Sequence, residues 1–281
     1  MLPPSAIRSR RSSPQRTSPT KRRPISSCSA GLARGPRSPP ACRRTRKLHR
    51  YRESVLTAIA LIPSAPVLVP QLVGAAAAEL TCLRQAVFAA ASALPERWLA
   101  IGVGPADEVI GPRVVGTFAG YGVDIKAGLS PDADEVRDLQ LSALITAWVR
   151  GEVRPSASAE VRVFAAHHSA GDSIRHGTEL RSVLDDTGDP VGVLIVADGV
   201  NTLTPRAPGG HDVGSVAVQS ALDDALSAGD VGALSRLRPS ITGRVAWQVL
   251  AGLAGAAPRS VEELYRGAPY GVGYFVGVWQ P

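Results

Sequence analysis

Residues 190–212, PVGVLIVADGVNTLTPRAPGGHD, decide how the chain is read. The run from Val191 to Ala197 is too short for an ordinary helix and rich in β-branched side chains, which predicts a strand buried on both faces of a sheet. It stops at Asp198-Gly199, and a polar loop carrying Pro205, Pro208, Gly209 and Gly210 follows before helical patterning resumes at Asp212. Ligands of open α/β sheets sit beyond the carboxyl ends of the strands, and loops of this length are usually functional or disordered. Asp198 and the loop behind it are therefore the first candidates for a site wall.

Outward from this stretch, strands and helices alternate. Strands are expected at 56–62, 98–103, 123–127, 161–166 and 270–279, and helices at 71–94, 133–150, 172–184, 212–227, 230–237 and 246–253. That alternation predicts an α/β fold with one mixed, largely parallel sheet covered by helices on both faces. Residues 55–80 are almost free of charge and follow a basic run, as a signal peptide or a span would. Pro63, Pro66 and Pro70 interrupt them, however, and a spanning helix needs about 20 apolar residues, so no membrane partner is expected.

The net charge of +7 over 281 residues hides two opposed parts. Residues 1–54 hold 15 of the 31 Lys/Arg and one of the 24 acids, leaving the rest mildly acidic with 16 and 23. Nucleic acid suits the tail as a partner and not the body. Residues 1–54 are Arg, Ser and Pro with hardly an apolar cluster, so a disordered basic tail is expected before a domain at 55–281. Three readings of the tail are open: a basic arm, a targeting leader, or an extension ahead of the true start. The last is favoured, because folded patterning begins abruptly at Val55-Leu56, where an internal GTG start would be read as valine. Three cysteines, Cys28, Cys42 and Cys82, build neither a disulfide framework nor a thiolate zinc set, which fits a cytoplasmic protein.

The order of short motifs then resembles a known family. IPSAPVLVP at 62–70, VADG at 196–199, APGG at 207–210, ALSAGD at 225–230, AWQVLAG at 246–252 and APYGVGYFV at 268–276 run as in the LigB-like superfamily of class III extradiol ring-cleavage dioxygenases, in its actinobacterial branch. The resemblance implies a three-layer α/β/α sandwich and a ferrous ion held by two histidines and a glutamate, with a further histidine as acid/base. The positions this chain offers differ. Ser64 stands where the first iron histidine is expected, and the Gly104-Pro105-Ala106-Asp107 turn lacks the second. Val200-Asn201-Thr202 take the place of the base, and Gly243-Arg244 that of the glutamate.

Other residues are candidates for a rebuilt site. Asp107, His167 and His168 are the candidate metal ligands, and Asp198, Asn201 and His211 the candidate catalytic groups, with Fe(II) implied by the resemblance alone. Two histidines and a carboxylate satisfy the ligand count of a facial triad. Adjacent histidines on extended backbone point to opposite faces, so at most one of the pair is expected to reach a shared ion. A plainer reading is also complete: Ser169 and Asp172 have the spacing of a capping box, and Asp198-Gly199 that of a turn. No Gly-x-Ser-x-Gly elbow marks a nucleophile beside Ser64, Ser169 or Thr202. Pro105 removes a donor that a dinucleotide loop needs. Arg206 and Arg244 are read as solvated surface rather than an anion clamp. Tyr265 and Tyr270 are possible edges of a pocket for an aromatic ligand.

Two functions follow. The residues favour a catalytically degenerate member that keeps the cleft to bind a small molecule or a partner protein, with homo-oligomers an open option. The alternative is an active metal-dependent oxidoreductase of dioxygenase type, acting on an aromatic diol-like substrate through Asp107, His167 or His168, Asp198 and His211.

Overall fold

The computed structural model describes residues 55–281, so the expected disordered tail, 1–54, lies outside the described residues. In chain order the elements are β1 (Leu56–Ile62), α1 (Pro70–Val73), α2 (Thr81–Ser92), β2 (Arg97–Gly104), β3 (Glu108–Ile110), β4 (Val114–Thr117), β5 (Lys126–Gly128) and β6 (Glu135–Val136). They continue as α3 (Leu141–Val153), β7 (Ser158–Ala165), α4 (Ala170–Thr187), β8 (Val191–Val196), α5 (Ser215–Ala228), α6 (Val231–Leu234), α7 (Arg244–Ala254), β9 (Ser260–Gly267) and β10 (Tyr274–Gln280).

The main sheet has seven strands in the order β3-β7-β2-β8-β1-β10-β9. β7, β2, β8 and β1 are parallel, whereas β10, β9 and β3 add antiparallel edges. The expected mixed, largely parallel sheet is therefore present. β8 is buried along its whole length between β2 and β1. The register pairs Ile62 with Val196 and Gly104 with Ala165, so the four parallel strands end along one edge.

Side-chain alternation sorts the core into two layers. Ala58, Ala60, Ile62, Leu194 and Val196 face α2 and α3, while Ile59, Leu61, Val193 and Ile195 face α4 to α7. On the second face α4 and α7 approach closely at two glycines. A Cβ on Gly177 would overlap the Val249 carbonyl oxygen and fall 2.6 Å from Leu253 N, and one on Gly252 would overlap the Ile174 carbonyl oxygen. Across the sheet, α3 and β2 meet where a Cβ on Gly102 would overlap the Ser142 side chain.

Several expected elements differ. The helix expected at 71–94 is three pieces: α1, a 3-10 stretch Gly74–Ala78 and α2. Gly74, at φ 54°, ends the first turn in a conformation L residues avoid. The helix expected from 133 begins only at Leu141. Val136, which completes the helical spacing in the sequence, is 80% exposed and pairs with β4 as part of β6. β9 has no counterpart among the expected elements.

Candidate functional site

The carboxyl edge of the parallel strands carries two groups of polar side chains, on opposite faces of the sheet. The first is built around Asp198. It continues the alternation of Leu194 and Val196 and so points to the α2/α3 face. The segment is stitched in place through its backbone: Gly199 N donates to Gly273 O (2.8 Å), Gly273 N to Val200 O (2.8 Å), and both Gly243 N (2.9 Å) and Trp247 Nε1 (3.2 Å) to Asp198 O. Gln219 adds a brace through its Oε1, which accepts from Val200 N at 2.9 Å.

The Asp198 carboxylate itself receives a hydrogen bond from Ser64 N (2.8 Å). Burial pushes its carboxyl up to about 7, against the opposing pull of that N–H. Tyr274, buried in the same layer, has its hydroxyl raised first by burial and then by the Asp198 charge, with Tyr265 and Tyr270 contributing less. The Tyr270 Oη is buried without a hydrogen-bond partner. The Tyr270 ring in turn lines an open cleft of about 510 Å³ together with Thr204, Pro205, Arg206 and Pro269. Asp198 is coupled electrostatically to Tyr274, and Tyr274 more weakly to Tyr265 and Tyr270, the last of which reaches the cleft that Arg206 also lines.

The second group faces α4. Asp107 Oδ1 accepts from Ala165 N (2.7 Å) and lies 2.7 Å from His168 Nε2, with Oδ2 at 3.0 Å. Burial opposes ionisation of Asp107, but these hydrogen bonds outweigh it and hold its carboxyl below the ordinary aspartate value. The His176 ring on α4 meets the His168 ring edge-on at 4.9 Å, and Phe164 packs against both, at 5.1 and 6.4 Å. A cleft of about 380 Å³ opens beside them. The Ser169–Asp172 cap starts α4, with Asp172 N donating to Ser169 Oγ at 3.1 Å.

The expected convergence of Asp107, a histidine, Asp198 and His211 at one point is corrected by this geometry. Asp107 and His168 meet because β2 and β7 are neighbours, but Asp198 belongs to the other face. His211 is exposed and bridges Leu203, folding the long loop back on itself, and Asn201 O accepts from Gly209 N within the same loop (2.9 Å). His167 is exposed and stacks on His168 at 5.6 Å. The pair sits in a turn closed by His168 N donating to Ala165 O (3.1 Å), so strand alternation does not separate the two rings. Arg244 is no loose surface cation: its guanidinium donates to Ala166 O (3.2 Å), His168 O (2.9 Å) and Gln248 Oε1 (2.9 Å), tying this turn to α7. His176 is absent from the sequence candidates. Its one sequence signal is a polar ring three residues after buried Ser173 and four before buried Leu180, on the inward stripe of α4.

At the positions where the sequence resemblance would place iron ligands, the donor set does not fit a ferrous ion. Ser64 offers a hydroxyl in place of an imidazole. At Gly243 a Cβ would fall 2.5 Å from Asp198 O and 2.7 Å from Ala197 Cβ, and Arg244 is a cation engaged with carbonyls.

No protein-family model matches the chain, and no curated protein matches it. Among solved structures the chain is similar to the crystal structure of uncharacterized protein JW3007 from Escherichia coli K12. The identity is 10% and the TM-score 0.46, over 80% of this chain and 100% of that one. Among the described residues no helix is long and apolar enough to cross a membrane.

Proposed function

We propose that the domain is a catalytically degenerate, extradiol dioxygenase-like protein that binds a small phenolic acid at the Asp198 edge. The observation that carries this reading is the Asp198 carboxyl, raised to about 7 and lying near Tyr274, at the carboxyl end of the central strand. A neutral carboxyl donates a hydrogen bond to a phenol oxygen, and an ionised one accepts from a phenol O–H. Arg206, in the wall of the cleft that Tyr270 shares, supplies the partner for an acidic substituent. Three cysteines and a mildly acidic body suit a cytoplasmic protein with no nucleic-acid partner.

The test is a ligand-detected NMR and calorimetric titration with catechol, benzoate and 3,4-dihydroxybenzoate. The dihydroxy acid is expected to bind best, and Arg206→Ala to weaken it about tenfold, the loss of one charge-assisted contact. Equal, weak binding of all three compounds, unaffected by Arg206→Ala and by Asp198→Asn, would contradict the reading.

A further inference from the structure

Of the five histidines in the chain, three (His167, His168 and His176) gather at one corner of the sheet. One ligand atom each from Asp107, His168 and His176 lies within 4.8 Å of the others, the sole group of three such residues among the described residues. The three side chains come from three separate supports: the turn after β2, the turn after β7 and the second turn of α4.

Each is also oriented from behind. Asp107 Oδ1 is held by Ala165 N, and the backbone of His168 by the Arg244 guanidinium on its carbonyl. His176 Nδ1 lies 3.5 Å from Glu179 Oε2, a carboxylate within reach of that ring nitrogen. A carboxylate behind a ligating imidazole and a backbone donor behind a ligating carboxylate are the outer supports that metal sites carry.

We infer that Asp107, His168 and His176 form a binding site for a divalent first-row transition ion of the zinc or cobalt type. The nitrogen-rich set does not suit calcium or magnesium, which take oxygen, and contains no thiolate to select copper(I). Three protein ligands leave a coordination position open. Asp107 and His176 both line the adjoining cleft of about 380 Å³, so a small ligand entering it would lie beside the ion. The site lies across the sheet from Asp198 and shares no residue with the phenol-binding reading, so either can fail alone.

The experiment is a Co²⁺ titration of the full chain, with any affinity tag removed, followed by visible absorption and then displaced with Zn²⁺. One equivalent is expected to bind with d–d bands of nitrogen and oxygen ligation. His168→Ala, His176→Ala and Asp107→Asn are each expected to weaken it more than tenfold, and His167→Ala and His211→Ala to leave it unchanged. Glu179 is largely exposed, so Glu179→Gln reads the site without touching the core, and about a tenfold loss is expected from removing an outer support. The proposal is overturned by the absence of a saturable band at millimolar Co²⁺. It is equally overturned by a thiolate charge-transfer band, which would put the ion on the cysteines, or by binding that survives loss of His176 with circular dichroism unchanged.

Discussion

Gly252→Ala is expected to destabilise the domain by about 3 kcal/mol or more, at the upper end of what overpacking costs. The added methyl would overlap the Ile174 carbonyl oxygen and lie 2.8 Å from its carbonyl carbon. Those are backbone atoms of α4, so no rotamer change relieves the clash and the two helices must part. Gly177→Ala meets the α7 backbone in the same way and is expected to behave alike. Because α4 carries His176 and α7 carries Arg244, either variant should also lose Co²⁺ affinity. Gly151, on exposed α3 surface with nothing within 4 Å of a Cβ, is the control. There alanine should be neutral or stabilising by about 0.5 kcal/mol. Urea midpoints measure all three, and an unchanged midpoint for Gly252→Ala would mean that α4 and α7 do not touch in this way.

Asp198→Asn is expected to stabilise the protein at pH 8 by about 2 kcal/mol and to leave it unchanged near pH 4. The folded carboxyl titrates at about 7, against an ordinary 3.8, so the unfolded chain loses its proton first as pH rises. Stability from this group is therefore whole below about pH 4, falls between pH 4 and 7, and is level above. Three pH units at 1.36 kcal/mol each set a ceiling of about 4 kcal/mol; Asp198 as a whole residue is only half-buried, so solvent screening of its charge brings the expected value to about half of that. Asparagine keeps an oxygen for Ser64 N and removes the ionisation. Asp223, raised by burial to about 6, acts in the same direction in both proteins and cancels from the difference. Urea unfolding of the pair across this range checks the sign as well as the size.

The sequence makes the central strands legible and the edges illegible, for one physical reason. β1, β2 and β8 are buried on both faces, so each is a short apolar run closed by proline or glycine, and the expected bounds lie within a residue or two of those found. β9 is an edge strand whose SVEELYRG sequence has no fully buried position, so its pairing with β10 leaves no hydrophobic trace. The site divides in the same way. Asp107 and His168 are visible as polar residues at the ends of two strands, whose adjacency only the structure supplies. That Asp198 turns away from them follows from β8 alternation once strand order is known, and strand order is not written in local pattern. His211 stands out in the sequence by its place in a long loop, but the Leu203 bridge spends that loop on its own turn.

Binding at the strand edge depends on whether the Asp198 carboxyl is desolvated where the central strand ends. The most direct measurement is a ¹³C NMR titration of aspartate side-chain carboxyl carbons, with Asp198→Asn identifying the resonance by its loss. A midpoint near 7, moved by the dihydroxy acid, is the predicted result. A midpoint near the ordinary aspartate value, unmoved by that ligand, would mean that Asp198 is a solvated turn residue and that the edge it occupies is not a binding site.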